Sequence, residues 1–161
     1  MYKISLKIYA IMVIAVVVQS FHMVEHVSQI IQKFVLKLPV AHGVLGEFLD
    51  LEPVHFTYNL TYLILIVLIW QSFRRTRTEK TKLLYGLVFF TLVFQSWHFV
   101  EHSVKLYQHF TYGCASCSGI IGMFVDVAVL HFVYNLVVFS PIVIVTIIVA
   151  QDFQKKKIRP I

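Results

Sequence analysis

Apolar residues dominate four long runs of this 161-residue chain, at about 8–34, 53–73, 83–107 and 120–150. A helix needs about 20 such residues to cross a bilayer core, and each run supplies them. Pro53 suits the first turn of a helix, where its missing N–H costs nothing. Pro141 lies inside the fourth run and is expected to kink it or end its regular part. The pattern predicts an all-α integral membrane protein, with four transmembrane helices packed as a bundle.

Composition supports this and removes other classes. Apolar residues make up 58% of the chain and charged residues 14%. Soluble domains average about 45–50% and about 25%, so too little polar surface remains for a soluble globule. Disordered chains are poor in apolar and aromatic residues, whereas 14 Phe and 8 Tyr occur here. The net charge of +6 is bunched. Lys3, Lys7, Arg74, Arg75, Arg77, Lys80, Lys82, Lys155, Lys156, Lys157 and Arg159 fall at the two ends and in the middle loop. Only Lys33, Lys37 and Lys105 fall on the other side. Basic loops stay inside, so both termini and the middle loop are expected to be cytoplasmic. The loops near 35–52 and 108–119 are expected to face outward. These clusters read as topology signals and lipid-headgroup contacts, not as a nucleic-acid surface. No small-residue cleavage site follows the first run, so it is expected to be retained rather than removed as a signal peptide.

The second half of the chain repeats the first. Shifted by 76 positions, residues 19–60 align with 95–136 without a gap, with 17 identities over 42 positions. Gln19-Ser20-Phe21-His22-Met23-Val24-Glu25-His26 aligns with Gln95-Ser96-Trp97-His98-Phe99-Val100-Glu101-His102. His55-Phe56-Thr57-Tyr58-Asn59-Leu60 aligns with His131-Phe132-Val133-Tyr134-Asn135-Leu136. Within the runs many apolar positions have drifted, while Gln19, Ser20, His22, Glu25, His26, Gln32, His55, Tyr58 and Asn59 recur at their matching positions. This predicts tandem two-helix hairpins at 1–73 and 83–161, joined by a basic linker at 74–82. A shift of two helices keeps orientation, so the halves would be parallel repeats about an axis along the membrane normal. Gly43 and Gly46, with Gly119 and Gly122, suit either close backbone approach or loops.

The retained polar residues form a constellation. His22, Glu25 and His26 stand at i, i+3 and i+4, on one helix face. His98, Glu101 and His102 repeat this. His55 and Asn59 lie one turn apart, as do His131 and Asn135. All six His are expected at one depth, in the outer half of the bundle. Ionisable groups there need partners. A transition metal supplies one: imidazole suits Fe, Cu and Zn. The six His would be primary ligands. Glu25 and Glu101 would bridge two ions, ligate them or act as base. Tyr58, Asn59, Tyr134, Asn135, Gln19 and Gln95 would line the site and orient the imidazoles. The logic is that of di-iron helix bundles, although the motif order differs. One dinuclear site, two mononuclear sites and a haem held by a His pair all remain open. So does a metal-free bundle knitted by His–Glu and His–Asn hydrogen bonds.

Asp50 and Asp126 suit helix N-terminal charges or ligands. His42 and His109 have no repeated partner and are expected in or near the outer loops. Cys114 and Cys117 are too few for a disulfide scaffold but could form one disulfide, a redox pair or a metal-loading site. H-x-x-E-H also occurs in zinc peptidases, which are soluble. The leading expectation is a membrane oxidoreductase acting on a lipophilic substrate, with O₂ or a quinone as oxidant. Alternatives are a haem electron carrier, an accessory subunit of a larger complex or homo-oligomer, a zinc hydrolase and a metal transporter.

Overall fold

The computed structural model describes residues 4–49, 51–76, 78–114 and 116–158. Lys3, Asp50, Arg77 and Arg159, with the side chains of Lys80, Lys156 and Lys157, lie outside the described residues. Among the described residues the structure is all-helical, with four long helices and no strand. These are α1 (Leu6–Ile30), α2 (Leu51–Arg75), α3 (Lys82–Tyr112) and α4 (Val127–Ile158). A π-helical turn, Ile31–Val35, extends α1. All four are long and apolar enough to cross a membrane.

Local chemistry sets the helix ends. Ser5 caps α1, accepting a hydrogen bond from the Ile8 N–H at 3.3 Å. Thr78 and Thr81 form a capping box ahead of α3. Gly113 closes α3 in the left-handed conformation. The fourth apolar run is expected to be helical from about residue 120. Instead Ile121–Met123 forms one 3-10 turn, and α4 starts at Val127. Asp126 sets that start: its carboxylate accepts N–H bonds from Ala128 (3.0 Å) and Val129 (3.1 Å). It also pairs with Lys33 of the π-turn, tying α1 to α4. Partial burial pushes the Asp126 pKa up; the Lys33 hydrogen bond, the two N–H bonds and the ammonium charge outweigh it and hold it below the usual value. Asp126 thus serves as a helix cap. Pro141 does not end α4, which runs through it.

The helices form a closed ring in which α1 packs on α2 and α4, and α3 packs on α2 and α4. The interior has two zones. Toward the termini it is apolar: Met12, Ala15, Ile66, Phe73, Val88 and Ile142 are fully buried together. Tyr62 closes this zone, donating its hydroxyl to the Val138 carbonyl at 3.1 Å. Toward the two hairpin loops the interior is polar.

Each hairpin loop wraps around a buried carboxylate. Glu25 accepts N–H bonds from Val44 (2.9 Å), Leu45 (2.9 Å) and Gly46 (3.3 Å). Glu101 Oε1 accepts them from Ile120 (2.8 Å), Ile121 (2.9 Å) and Gly122 (3.5 Å). Gln32 clamps Gly43 through both amide groups, and Gln108 clamps Gly119 the same way. Gly43 (φ +80°) and Gly119 (φ +74°) are left-handed, and a Cβ on either would collide with the Glu25 or Glu101 carboxylate. The glycines are therefore loop glycines, needed for both conformation and space.

Gly43→Ala should lower stability by about 1–3 kcal/mol, read as a lower Tm in detergent. Gly86→Ala, inside α3 where a Cβ meets nothing within 4 Å, should instead raise stability by about 0.5–1 kcal/mol. A lowered carboxylate pKa stabilises above the unfolded value and ceases to do so as pH falls through the folded one. Asp126→Asn should therefore lower Tm at neutral pH, and the difference should close in strongly acidic buffer.

Candidate metal centre

The polar zone holds all six expected histidines. His22 and His26 come from α1, His55 from α2, His98 and His102 from α3, and His131 from α4. Each is buried, at most 4% exposed. Helical periodicity brings His22 and His26 together one turn apart, and the α2 start brings His55 against them. Ligand nitrogens of His22, His26 and His55 lie within 4.8 Å of one another, as do those of His98, His102 and His131. Each triad can hold a metal ion.

The two triads touch. The His55 and His102 rings are parallel at 5.7 Å between centroids, and His26 and His131 stack at 6.0 Å. Both contacts cross between the halves of the chain, so the imidazoles form one continuous cluster.

Tautomers follow from the partners. A backbone carbonyl can only accept, so His131 Nδ1, 2.8 Å from the Val127 carbonyl, carries the proton. Its Nε2 then presents a lone pair, and that buried atom has no hydrogen-bond partner among the described residues. His26 Nδ1 lies 2.8 Å from Gln29 Oε1, also an acceptor, so His26 Nε2 is bare as well. It faces His22 Nε2 at 3.1 Å, and His102 Nε2 faces His98 Nε2 at the same distance. With metal–nitrogen bonds of ~2.05 Å, nitrogens so spaced subtend about 100° at an ion. Each such pair can therefore reach one small transition ion, with the third imidazole of its triad within 4.8 Å.

A second layer of polar side chains lies beside the rings, with Asn59 Nδ2 3.5 Å from His22 Nε2. Asn59 donates to the His55 carbonyl (2.9 Å) and Asn135 to the His131 carbonyl (2.8 Å). Gln95 of α3 donates to Asn59 Oδ1 (2.9 Å), and Gln19 of α1 to Asn135 Oδ1 (2.6 Å). Each Gln thus holds an Asn of the other half. Tyr58 stacks on His22 and Tyr134 lies against His98, both at 5.0 Å between centroids. These six residues surround the imidazoles, as their spacing suggests.

The two glutamates stand elsewhere than a bridge would require. Glu25 and Glu101 share a helix face with the histidines but turn to the loop N–H groups, and neither belongs to a ligand triad. The physical reason is competition: converging backbone N–H donors engage both oxygens of Glu25 and Oε1 of Glu101, while Glu101 Oε2 has no hydrogen-bond partner among the described residues.

Three participants were not legible as site residues. Lys105, counted from sequence as an outer-side charge, lies inside α3, 5% exposed, and pairs with Glu52 at 3.3 Å. Glu52 Oε1 also accepts the Cys117 N–H at 3.1 Å. Gln29 orients His26. The available signal was the replacement of Gln29 by Lys105 at matching positions. Cys114 and Cys117 form a disulfide, and the Cys114 carbonyl contacts His109 Nδ1 at 2.7 Å. His42 is half-buried in its loop.

A cavity of about 200 Å³ opens at the loop end of the ring. His26, His55, His102 and His131 line its floor, with Gln29 and Lys105 beside them. No known protein family, curated protein or solved structure matches the chain.

Glu25→Gln exchanges a charged acceptor for an amide facing three N–H donors and should cost about 1.5–3 kcal/mol. Because Glu25 holds the loop, the folded fraction should keep its full metal content. Loss of metal in proportion to that of a His26→Ala variant would show it to be a ligand.

Proposed function

We propose that this chain is a multi-pass membrane metalloprotein whose six histidines hold two transition-metal ions, one per triad, for redox chemistry on a lipophilic substrate. The observation that carries this is the pair of abutting, buried His triads, with nitrogens of His22, His98, His102 and His131 that have no hydrogen-bond partner among the described residues. The ligands are His22, His26 and His55 for one ion and His98, His102 and His131 for the other. Six neutral imidazoles and no thiolate or carboxylate suit Cu or Fe, with Zn as a non-redox alternative. Bound there, such ions would supply one-electron steps to O₂ or a quinone. Three protein ligands leave each ion an open position, as catalytic sites do.

The chain's own residues support the rest of the reading. Asn59, Asn135, Gln19 and Gln95 form the polar layer beside the imidazoles. Glu25 and Glu101 hold the loops over the site rather than binding metal. A groove of about 400 Å³ lined by Val18, Pro53, Val54, Thr57, Tyr58 and Thr61 runs beside α2. It offers an apolar substrate a place against Tyr58, whose ring stacks on His22. O₂ or another small molecule has the separate loop-end cavity. The matched polar contacts of the halves support a bundle of two duplicated parallel hairpins. Basic residues at the ends and in the middle loop support cytoplasmic termini, with the site toward the outer face.

Other chemistries find less support. Haem would need a slot between two histidines, and the rings here contact one another at 4.5–6.0 Å. Zinc hydrolysis would need a glutamate aimed at the ion as base, and both turn to the loop N–H groups instead, Glu25 through both oxygens and Glu101 through Oε1. Transport would need a polar path through the zone of Met12, Ile66, Phe73 and Ile142, which is apolar and fully buried.

Elemental analysis of detergent-purified protein should find about two Cu or Fe per chain, with an optical spectrum lacking a Soret band. His22→Ala with His98→Ala should lose both. Metal-free protein from chelator-free preparation, with the double variant merely less stable, would leave a hydrogen-bonded accessory subunit.

A further inference from the structure

Lys105 breaks the match between the two halves at the one place where it alters the cavity. In the first half Gln29 accepts from His26 Nδ1. In the second the matching residue is Lys105, which has no acceptor to offer, and His102 Nδ1 has no hydrogen-bond partner among the described residues. Glu52, the partner of Lys105, has Ala128 at its own matching position. An ammonium, paired with the buried Glu52 carboxylate, thus stands with His102 on the cavity wall. Glu52 Oε1 is shared between Lys105 and the Cys117 N–H, while an ammonium carries three N–H donors.

The buried charges do not balance around two divalent ions. Such ions bring four positive charges to neutral imidazoles. Glu25, Glu52 and Glu101 are each at most 3% exposed and bring three negative charges, and Lys105 adds one positive. Lys33 and Asp126 cancel each other. Two positive charges remain, in a layer where uncompensated charge is costly. The cavity above them has room for roughly six waters at about 30 Å³ each. Exposed Leu38, Pro39, Val40 and Ser116 form its rim, so it is reached from the loop side.

We propose that this cavity binds a small monoanion of two to four heavy atoms, held between the Lys105 ammonium and the open coordination positions of the two His triads. The proposal rests on the metal-binding reading and gives it a ligand class: deprotonated oxygen species and their linear or bent analogues. Lys105 is a positioning residue.

Azide is the probe. Full-length protein loaded with Cu(II), with two ions per chain verified by elemental analysis, is titrated with sodium azide at constant ionic strength and followed optically. Saturable binding is expected. Lys105→Gln should raise the azide Kd at least ten-fold while leaving two Cu per chain. The variant strands the Glu52 carboxylate, so Glu52→Gln with Lys105→Gln is measured beside it, and the same weakening is expected. Azide binding as tight as wild type in the double variant overturns the proposal. So does a fully loaded wild type with no saturable azide response. A chain that takes up no metal overturns the metal-binding reading, and this proposal with it.

Discussion

Six imidazoles pressed ring against ring, away from water, are the constraint around which this protein is built. Each ring has two nitrogens that must be satisfied, and the interior offers too few partners. Main-chain carbonyls and amide side chains fix the proton on some nitrogens, as at His131 and His26. Fixing it there strips the opposite nitrogen of its proton and aims a lone pair inward. Ring nitrogens of paired histidines then face each other at 3.1 Å, where they can share a proton or a cation. Each triad could hold a metal ion because of how its rings are held.

That constraint explains the distribution of the other polar residues. The Gln–Asn pairs cross from one half of the chain to the other, so the polar layer beside the histidines is shared between the halves. The loops are drawn down onto Glu25 and Glu101, which places a lid of backbone over the polar zone. Opposite the loops, the apolar zone supplies dispersion and hydrophobic stabilisation that the polar zone cannot. The disulfide, the Cys117 N–H, Glu52 and Lys105 form one chain of contacts from the second loop to the cavity.

Much of this was legible in the sequence. Four helices follow from the apolar runs, and the six histidines from their recurrence 76 residues apart. The direction of Glu25 and Glu101 was not. The i, i+3, i+4 spacing places a carboxylate on the histidine face, but the loop path decides which donors reach it first. That path depends on left-handed Gly43 and Gly119, whose role hydropathy does not register. The same blindness moved the expected start of α4 into 120–126, an apolar stretch whose backbone turns before Asp126 caps the helix. Lys105 was counted only as an outer-side basic charge near the end of a span. Its burial depended on Glu52, which lies on another helix and is remote in sequence.

The two-zone interior has a further consequence. Tyr62, Ile66, Phe73 and their neighbours close the terminal end, while the cavity opens only among the loops. The imidazole cluster is thus the floor of a blind-ended pocket rather than part of a channel, and whatever enters past Leu38, Pro39, Val40 and Ser116 leaves by the same mouth.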